Sequence, residues 1–270
     1  DETVRVEVDD RVATVWLHRP HRRNAWTGRM HSEYRAALAD LDARDDVRAV
    51  VVTGTPPAFC VGGDSDALAG HAERGSYDDG LRGDQAMPGY GVRPEFDADF
   101  AFQFAMRFPI VAAVNGAAAG VGLALALFCD LRFGAADARL TTAAPKLGLP
   151  AEYGMSWQLP RLVGVTRAAD LLLSGRVFTP DQTEAWGLWN GVEADGDAVL
   201  AAARSAAHHL AHGVGPTALA TTKRQLYVDL LEPSPAVAIG EARRLLAEAM
   251  TTEEYREGVA ALREKRPPQF

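Results

Sequence analysis

Two uninterrupted apolar runs constrain the fold of this chain more than any other feature. RAVVVTG occupies 48–54, PIVAAVNG occupies 109–116, and both runs end in a glycine. A run without polar alternation is typical of a strand buried on both faces, as in a parallel sheet covered by helices. CDLRFGA (129–135) is a weaker third example. These runs predict an α/β fold with a largely parallel sheet.

The segments around these strands have periodicities of their own. Residues 3–8 and 11–17 alternate apolar and polar positions around Asp9-Asp10, which predicts a hairpin. Residues 28–44 have helical spacing, with Thr27 as the N-cap. After residue 150 the pattern predicts helices to the end, at 154–163, 166–174, 180–187, 197–212, 216–231, 235–250 and 252–264. We therefore expect an α/β core over 1–195 and a C-terminal helical region over 196–270, serving as a lid or an oligomer surface.

Composition excludes several classes of protein. The 270 residues carry 28 basic and 36 acidic side chains, so the net charge of −8 argues against general nucleic-acid binding. No run of 18 apolar residues predicts a membrane span, and two cysteines imply no disulfide framework. The acidic, alternating N-terminal stretch is unlike a signal peptide, so we expect a cytoplasmic location.

Familiar cofactor and nucleophile motifs are absent from the sequence. The Rossmann glycine pattern fails after Gly122, no Gly-Lys-Ser/Thr occurs, and no closing glycine completes a hydrolase elbow after Ser156. His208 and His212 have i, i+4 spacing beside His209, but a metal site there would need further ligands from elsewhere. We therefore expect no metal and no separate cofactor.

Two glycine loops are the candidate chemical elements. AFCVGGD (58–64) follows one buried strand, and NGAAAGVG (115–122) leads from another into an apolar helix. Glycine removes side chains from the backbone, so N–H groups there can approach a ligand closely. Two N–H donors on one oxygen stabilise a carbonyl that gains charge. Tight turns and close helix–strand packing would also explain either loop alone.

Seven segments together carry a resemblance to a known family. In order along the chain they are RPHRRNA (19–25), FCVGGD (59–64), IVAAVNGAAAGVG (110–122), CDLRF (129–133), LPRLVG (159–164), LLLSGR (171–176) and EAWGL (184–188). The sequence thereby resembles the crotonase superfamily, or enoyl-CoA hydratase/isomerase family, over nearly its whole length. The resemblance implies a spiral of ββα units with C-terminal helices that form trimers, often paired into hexamers.

The same resemblance implies a substrate and a set of site residues. The substrate is an acyl-CoA thioester, whose CoA is part of the substrate, and its carbonyl lies in an oxyanion hole made by the backbone N–H groups of Gly63 and Val121. Valine replaces the usual glycine at 121, which is tolerable because only the backbone is used. The implied substrate-binding positions are Arg23, Ala25, Val61, Gly62, Gly120 and Lys223, with Arg23 and Lys223 near the CoA.

The sequence departs from the family at both glutamates that hydratases use. Those positions correspond to Ala124 and Ala144, and alanine can neither activate water nor protonate carbon. Glu152 falls where certain family isomerases carry a carboxylate, and one carboxylate suffices for a 1,3-proton shift. A helix N-terminal residue is the structural alternative for Glu152. We expect an isomerase, with a hydratase or lyase using an unusual acid/base set, or an inactive acyl-CoA-binding protein, as alternatives.

A long glycine-, aspartate- and proline-rich stretch at 70–98 has no periodicity. We expect a loop that covers the acyl pocket, with Met87, Tyr90 and Phe96 as lining residues. Asp84, Glu95 or Asp97 from this loop could supply a second acid. Most of the aromatic residues at 100–108, and Trp157, are expected to serve packing.

Overall fold

The computed structural model describes residues 2–75 and 85–270 and contains two sheets. The nine strands are β1 (Val4–Asp9), β2 (Val12–Leu17), β3 (Ala49–Gly54), β4 (Ala58–Cys60), β5 (Ile110–Val114), β6 (Ala117–Ala119), β7 (Leu131–Ala135), β8 (Leu140–Thr141) and β9 (Gly191–Glu193). The larger sheet has the order β1-β2-β3-β5-β7-β9, and the smaller has the order β4-β6-β8.

Ten α-helices accompany the sheets in the described ranges. They are α1 (Gly28–Asp42), α2 (Ser65–Arg74), α3 (Val121–Leu127), α4 (Met155–Val163), α5 (Val165–Ser174), α6 (Pro180–Thr183), α7 (Gly196–Gly213), α8 (Pro216–Asp229), α9 (Pro235–Ala249) and α10 (Glu253–Glu264). None of the helices in these ranges is long and apolar enough to cross a membrane.

The large sheet is parallel apart from its first pair of strands. β1 and β2 form the predicted antiparallel hairpin, with Val6 opposite Val15. β2, β3, β5, β7 and β9 then pair in parallel, and every residue of β3 and β5 is buried. The apolar runs therefore predicted the two central strands correctly.

Successive strands alternate between the two sheets, which produces the expected spiral. Each turn of the chain places one strand in the large sheet and the next in the small sheet: β3 then β4, β5 then β6, β7 then β8. α2 follows the first of these pairs and α3 the second. The predicted spiral of ββα units is confirmed. The three strands of the small sheet were missed because segments of only two or three residues show no periodicity.

The helical predictions hold, with local differences. Thr27 caps α1 by accepting a hydrogen bond from Met30 N at 3.1 Å, as expected. The predicted helix at 180–187 is instead the short α6 followed by a 3₁₀ turn that ends at Gly187. α2 extends into the stretch predicted as loop, and residues 76–84 lie outside the described ranges.

α7 joins the C-terminal region to the core. Its side chains at every fourth position, Val199, Ala203, Ala207 and Ala211, are fully buried, and the helix packs on β3, β5, β7 and β9. The 196–270 region therefore begins with a helix that covers the large sheet. By contrast, α9 buries none of its residues within this chain.

Candidate active site

The two glycine loops meet because their strands are neighbours. β4 and β6 pair in parallel in the small sheet, and β6 pairs in parallel with β8. The carboxyl ends of parallel strands lie at one edge of a sheet, where open α/β folds bind ligands. The loop at 61–64 and the turn at Gly120 therefore leave the sheet side by side.

A cavity of about 320 Å³ occupies this edge. Six predicted site residues line it: Val61, Gly62, Gly63, Gly120, Val121 and Glu152. Residues that are up to 91 positions apart in the sequence (61 to 152) thus share one cavity. The structure brings together both predicted N–H donors and the predicted carboxylate.

Both predicted N–H donors are left without a partner by the surrounding backbone. Trp26 N donates to Gly62 O and Asp64 N donates to Trp26 O, so the residues on either side of Gly63 are fixed. Within the described ranges, nothing accepts a hydrogen bond from Gly63 N. Val121 is the first residue of α3, where the N–H groups have no intrahelical acceptor. Both residues line the cavity, so their N–H groups are available to a ligand there.

The two glycines that precede these donors have positive φ. Gly62 has φ of +102° and Gly120 has φ of +47°, conformations that other residues adopt rarely. Gly122 serves packing instead, since a Cβ atom there would lie 2.2 Å from the carbonyl oxygen of Cys60. Tight turns therefore explain Gly62 and Gly120, and close helix–strand packing explains Gly122.

Charged residues from the 19–25 segment hold the first loop in place. Arg19 donates to the Asp64 carboxylate at 2.9 Å and Arg22 donates to it at 3.1 Å. Burial opposes ionisation of Asp64, but these hydrogen bonds keep its pKa below the usual value. Asp64 also caps α2 by accepting a hydrogen bond from Asp66 N. Asp64 is therefore structural and ionised.

Glu152 is the carboxylate of the cavity without a cationic partner. It precedes α4, is half-buried, and has no ion pair or side-chain hydrogen bond among the described residues. Burial raises the pKa of Glu152 above its ordinary value. Asp66, the third lining carboxylate, is paired with Arg22 at 3.1 Å. A carboxyl group with a raised pKa can both accept and return a proton.

The two alanines at the usual glutamate positions are buried. Ala124 lies inside α3 and Ala144 begins a 3₁₀ helix, and both are fully inaccessible. No carboxylate occupies either place. Within the described ranges, Asp64, Asp66 and Glu152 are the acidic residues that line this cavity.

A second cavity, of about 480 Å³, adjoins the first at Tyr153, which lines both. Its walls are mainly aromatic: Phe96, Phe104, Phe128, Tyr153 and Trp157. Phe96, predicted to line the acyl pocket, lines this cavity, and so does Trp157, which was expected to serve packing alone.

Met87 and Tyr90 lie away from both cavities. The sulfur of Met87 accepts a hydrogen bond from Arg35 at 2.7 Å, and the same guanidinium lies 4.8 Å from the centre of the Tyr90 ring. The prediction that they line the pocket is wrong, because Arg35 holds both against α1.

The other candidate acids either have partners or lie outside the residues that the structure describes. Glu95 lines the second cavity and pairs with Arg93 at 3.0 Å. Asp97 accepts a hydrogen bond from Gly91 N at 2.9 Å. Asp84 lies outside the described residues.

Three of the predicted substrate-binding residues do not line the first cavity. Arg23 is exposed in the loop beside it, with φ of +52°. Ala25 is buried, and its carbonyl accepts from Arg19 at 2.6 Å. Lys223 is also buried: its ammonium group donates to Asp130 and to Phe108 O, both at 2.8 Å. The structure thus corrects the prediction for Lys223, whose charge is used inside the fold.

Sequence reasoning missed the far wall of the cavity. His71 and Arg74 in the last turn of α2, and Leu147 and Leu149 after β8, complete the lining. Residues from 70 onward lack a periodic pattern and are predicted as a loop, so the last turn of α2 and its cavity-lining side chains were missed.

A parallel ββα spiral whose cavity is lined by two glycine loops and a carboxylate is the arrangement of a crotonase-fold enzyme. The chain belongs to the enoyl-CoA hydratase/isomerase family, whose model matches residues 7–270.

Relatives and solved structures of this family match over nearly the full length. A probable enoyl-CoA hydratase of Rhodobacter capsulatus is 35% identical, covering 99% of this chain and 97% of the relative. The 1,2-epoxyphenylacetyl-CoA isomerase of Escherichia coli is 31% identical, covering 100% and 98%. A crystal structure of a probable enoyl-CoA hydratase/isomerase from Mycobacterium abscessus has a TM-score of 0.84 at 34% identity, covering 99% and 98%.

Proposed function

We propose that this protein is an acyl-CoA isomerase that moves a proton with Glu152. The thioester carbonyl of the substrate accepts hydrogen bonds from Gly63 N and Val121 N. The observation that carries the proposal is that Glu152 is the unpaired carboxylate in the cavity these donors line. Asp64 and Asp66 in the same cavity are bound to arginine.

The reaction is a 1,3-proton shift that leaves the substrate's composition unchanged. Glu152 removes a proton from the α-carbon of a 3-enoyl thioester, and the electron pair moves into the dienolate held by the two N–H groups. The protonated Glu152 then returns the proton to the γ-carbon. The double bond moves from β,γ to α,β, and the carboxylate is regenerated. The raised pKa of Glu152 suits this exchange between base and acid.

Alanine at 124 and 144 favours isomerisation over hydration. A hydratase needs one group to activate water and one to protonate carbon. Glu95 and Asp99 line the adjoining cavity and are the residues through which a non-standard hydratase or lyase could act. Loss of catalysis with retained CoA binding is the remaining alternative.

The second cavity supports an aromatic or other bulky apolar acyl group as the substrate. Five aromatic side chains line it, and it adjoins the first cavity at Tyr153, next to Glu152. Planar rings pack well against such walls. The E. coli relative at 31% identity is named for a phenylacetyl-CoA derivative, which agrees with this class.

Arg23 supports binding of the CoA part of the substrate. The residue is exposed beside the cavity, where its guanidinium can bind a CoA phosphate.

α9 and its C-cap expose four apolar side chains, those of Val237, Ile239, Leu246 and Met250, and a helix with no buried face needs a partner. We therefore propose a homo-oligomer, a trimer or dimer of trimers, which light scattering would test by its mass.

The deciding experiment is turnover of 3-enoyl-, 2-enoyl- and saturated CoA esters in deuterium oxide, with linear and phenyl-substituted acyl groups. Deuterium at the α- or γ-carbon without water addition supports the isomerase. Glu152→Gln should abolish exchange and keep CoA-ester binding, whereas Glu232→Gln, in the turn after α8 and outside both cavities, serves as the matched control.

Each alternative predicts a different result. A hydroxyacyl product lost in Glu95→Gln or Asp99→Asn would establish hydration. Bound CoA esters without any turnover would establish a binding protein. A preference for linear over phenyl acyl groups, with exchange intact, would reject the aromatic class and leave the isomerase standing.

A further inference from the structure

Three of the seven histidines of this chain, at positions 208, 209 and 212, lie in one five-residue stretch of α7. The sequence alone offered no additional ligand for them. In the fold, the turn between β1 and β2 lies against the end of α7 and brings Asp10 to this group. One ligand atom each from Asp10, His208 and His212 lies within 4.8 Å of the others.

The distances suit a metal ion with tetrahedral geometry. His208 Nε2 lies 3.1 Å and His212 Nε2 lies 3.3 Å from the same carboxylate oxygen, Oδ2 of Asp10. Ligand atoms about 2.0–2.1 Å from a zinc ion are about 3.3–3.4 Å apart in a tetrahedron. Each imidazole nitrogen therefore lies at about the distance from the Asp10 oxygen that two ligands of one zinc ion have.

Two firm elements hold the three side chains. α7 is anchored by its buried stripe, which includes Ala207 just before His208 and Ala211 just before His212. Asp10 lies in a tight turn with φ of +43°, between two strands paired from end to end. The rings of His208 and His212 are stacked with their centres 4.3 Å apart. Little rearrangement is needed to receive an ion.

Asp10 supplies the negative charge of the cluster, and Arg11 lines the same cavity. In the described ranges, Asp10 forms ion pairs with His208 and His212 and with no lysine or arginine. The neighbouring Arg11 donates to Phe270 O at 3.0 Å. The histidines line an open cavity of about 500 Å³, bounded by the segment 267–270, which leaves room for water as a fourth ligand.

We propose that Asp10, His208 and His212 bind a divalent ion of the zinc type, which fastens the β1–β2 turn to α7. Two imidazoles and one carboxylate are a ligand set that zinc and related ions accept. None of the three residues lines the active-site cavity or the aromatic cavity. The site is thus independent of the proposed reaction.

The test is titration of the full-length protein with Zn²⁺ by calorimetry and with Co²⁺ by visible absorption. We expect one ion per chain and the absorption of tetrahedral or five-coordinate cobalt. His208→Ala, His212→Ala and Asp10→Asn should each weaken binding at least about tenfold. The ion should raise the melting temperature of the wild type and not of these variants.

His209→Ala is the matched control, because His209 is adjacent on α7 and lines the same cavity without belonging to the cluster. It should bind the ion within about twofold of wild type. The proposal fails if the wild type binds no ion, or if His209→Ala loses as much affinity as His208→Ala. It also fails if Asp10→Asn binds like the wild type.

Discussion

Gly122 packs directly on Cys60: a Cβ atom at Gly122 would lie 2.2 Å from the carbonyl oxygen of Cys60 and 2.7 Å from its Cβ. Gly122 is the second residue of α3 and Cys60 is the last of β4. This contact fixes the distance between the loop that carries Gly63 and the helix that carries Val121. The geometry of the proposed carbonyl site therefore depends on a missing side chain.

Gly122→Ala should destabilise the protein by about 1–3 kcal/mol, because backbone atoms must move to admit the methyl group. It should also lower kcat/KM, since Val121 N moves with α3. Urea denaturation and steady-state kinetics measure the two effects. Gly240→Ala is the control: the space around Gly240 in α9 is open, so alanine should stabilise that helix by about 0.5–1 kcal/mol. Equal stability of Gly122→Ala and wild type would contradict the packing argument.

Glu152→Gln should change how stability depends on pH. Burial raises the folded-state pKa of Glu152, so the folded state binds more protons than the unfolded state between the two pKa values. Stability from this group is therefore present below the unfolded pKa and is lost as pH rises through the folded pKa. Glu152→Gln removes this loss.

The variant should thus be more stable than wild type at neutral pH. The difference should shrink as pH falls through the folded-state pKa of Glu152 and should vanish below about 4, the unfolded-state pKa of glutamate. Thermal denaturation across this range measures it, with Glu232→Gln as the reference. If Glu152→Gln instead loses stability relative to wild type at pH 7 but not at pH 4, then ionised Glu152 is stabilised by a partner.

Lys223→Met should destabilise the fold by about 3–5 kcal/mol, because it leaves Asp130 buried without its cation. The side chain of Lys223 is only 5% exposed, and its ammonium group donates to Asp130 and Phe108 O. Chemical denaturation measures the loss. Arg244→Met, which breaks exposed ion pairs on α9, should have only a small effect. If the KM for the CoA substrate rises in folded Lys223→Met while stability is unchanged, the substrate-binding role applies instead.

Asn24→Asp should destabilise the protein by about 3 kcal/mol at neutral pH, since two carbonyl acceptors would face a carboxylate. Asn24 is fully buried, and its amide donates to Thr55 O at 2.8 Å and to Ala58 O at 2.7 Å. The loss should shrink at acid pH, where a protonated aspartic acid can donate once. Asn190→Asp should be nearly neutral, because Asn190 is exposed and its side-chain oxygen only accepts, from Arg132 N. Thermal melts at pH 4.5 and pH 7.5 distinguish the two substitutions.

Local sequence determined the main elements of this protein. The apolar runs at 48–54 and 109–116 predicted the central strands, and helical spacing with caps such as Thr27 predicted most helices. These signals are local because burial on both faces, or on one face of a helix, leaves a periodic pattern in neighbouring residues. The sequence also identified the glycine loops and Glu152 as candidate site residues, because the backbone freedom of glycine and the negative charge of glutamate are properties of single residues.

Only the tertiary structure decided which charged groups are already paired. Asp64 and Glu152 are both acidic residues beside glycine-rich turns, yet Arg19 and Arg22 bind the first and nothing described binds the second. The family resemblance placed Lys223 near the CoA, whereas in the fold its ammonium group pairs with Asp130. Asp10 and His208, which are 198 positions apart, meet only because the β1–β2 hairpin and α7 pack together. Partners of this kind are set by long-range packing, which leaves no periodic trace in the sequence.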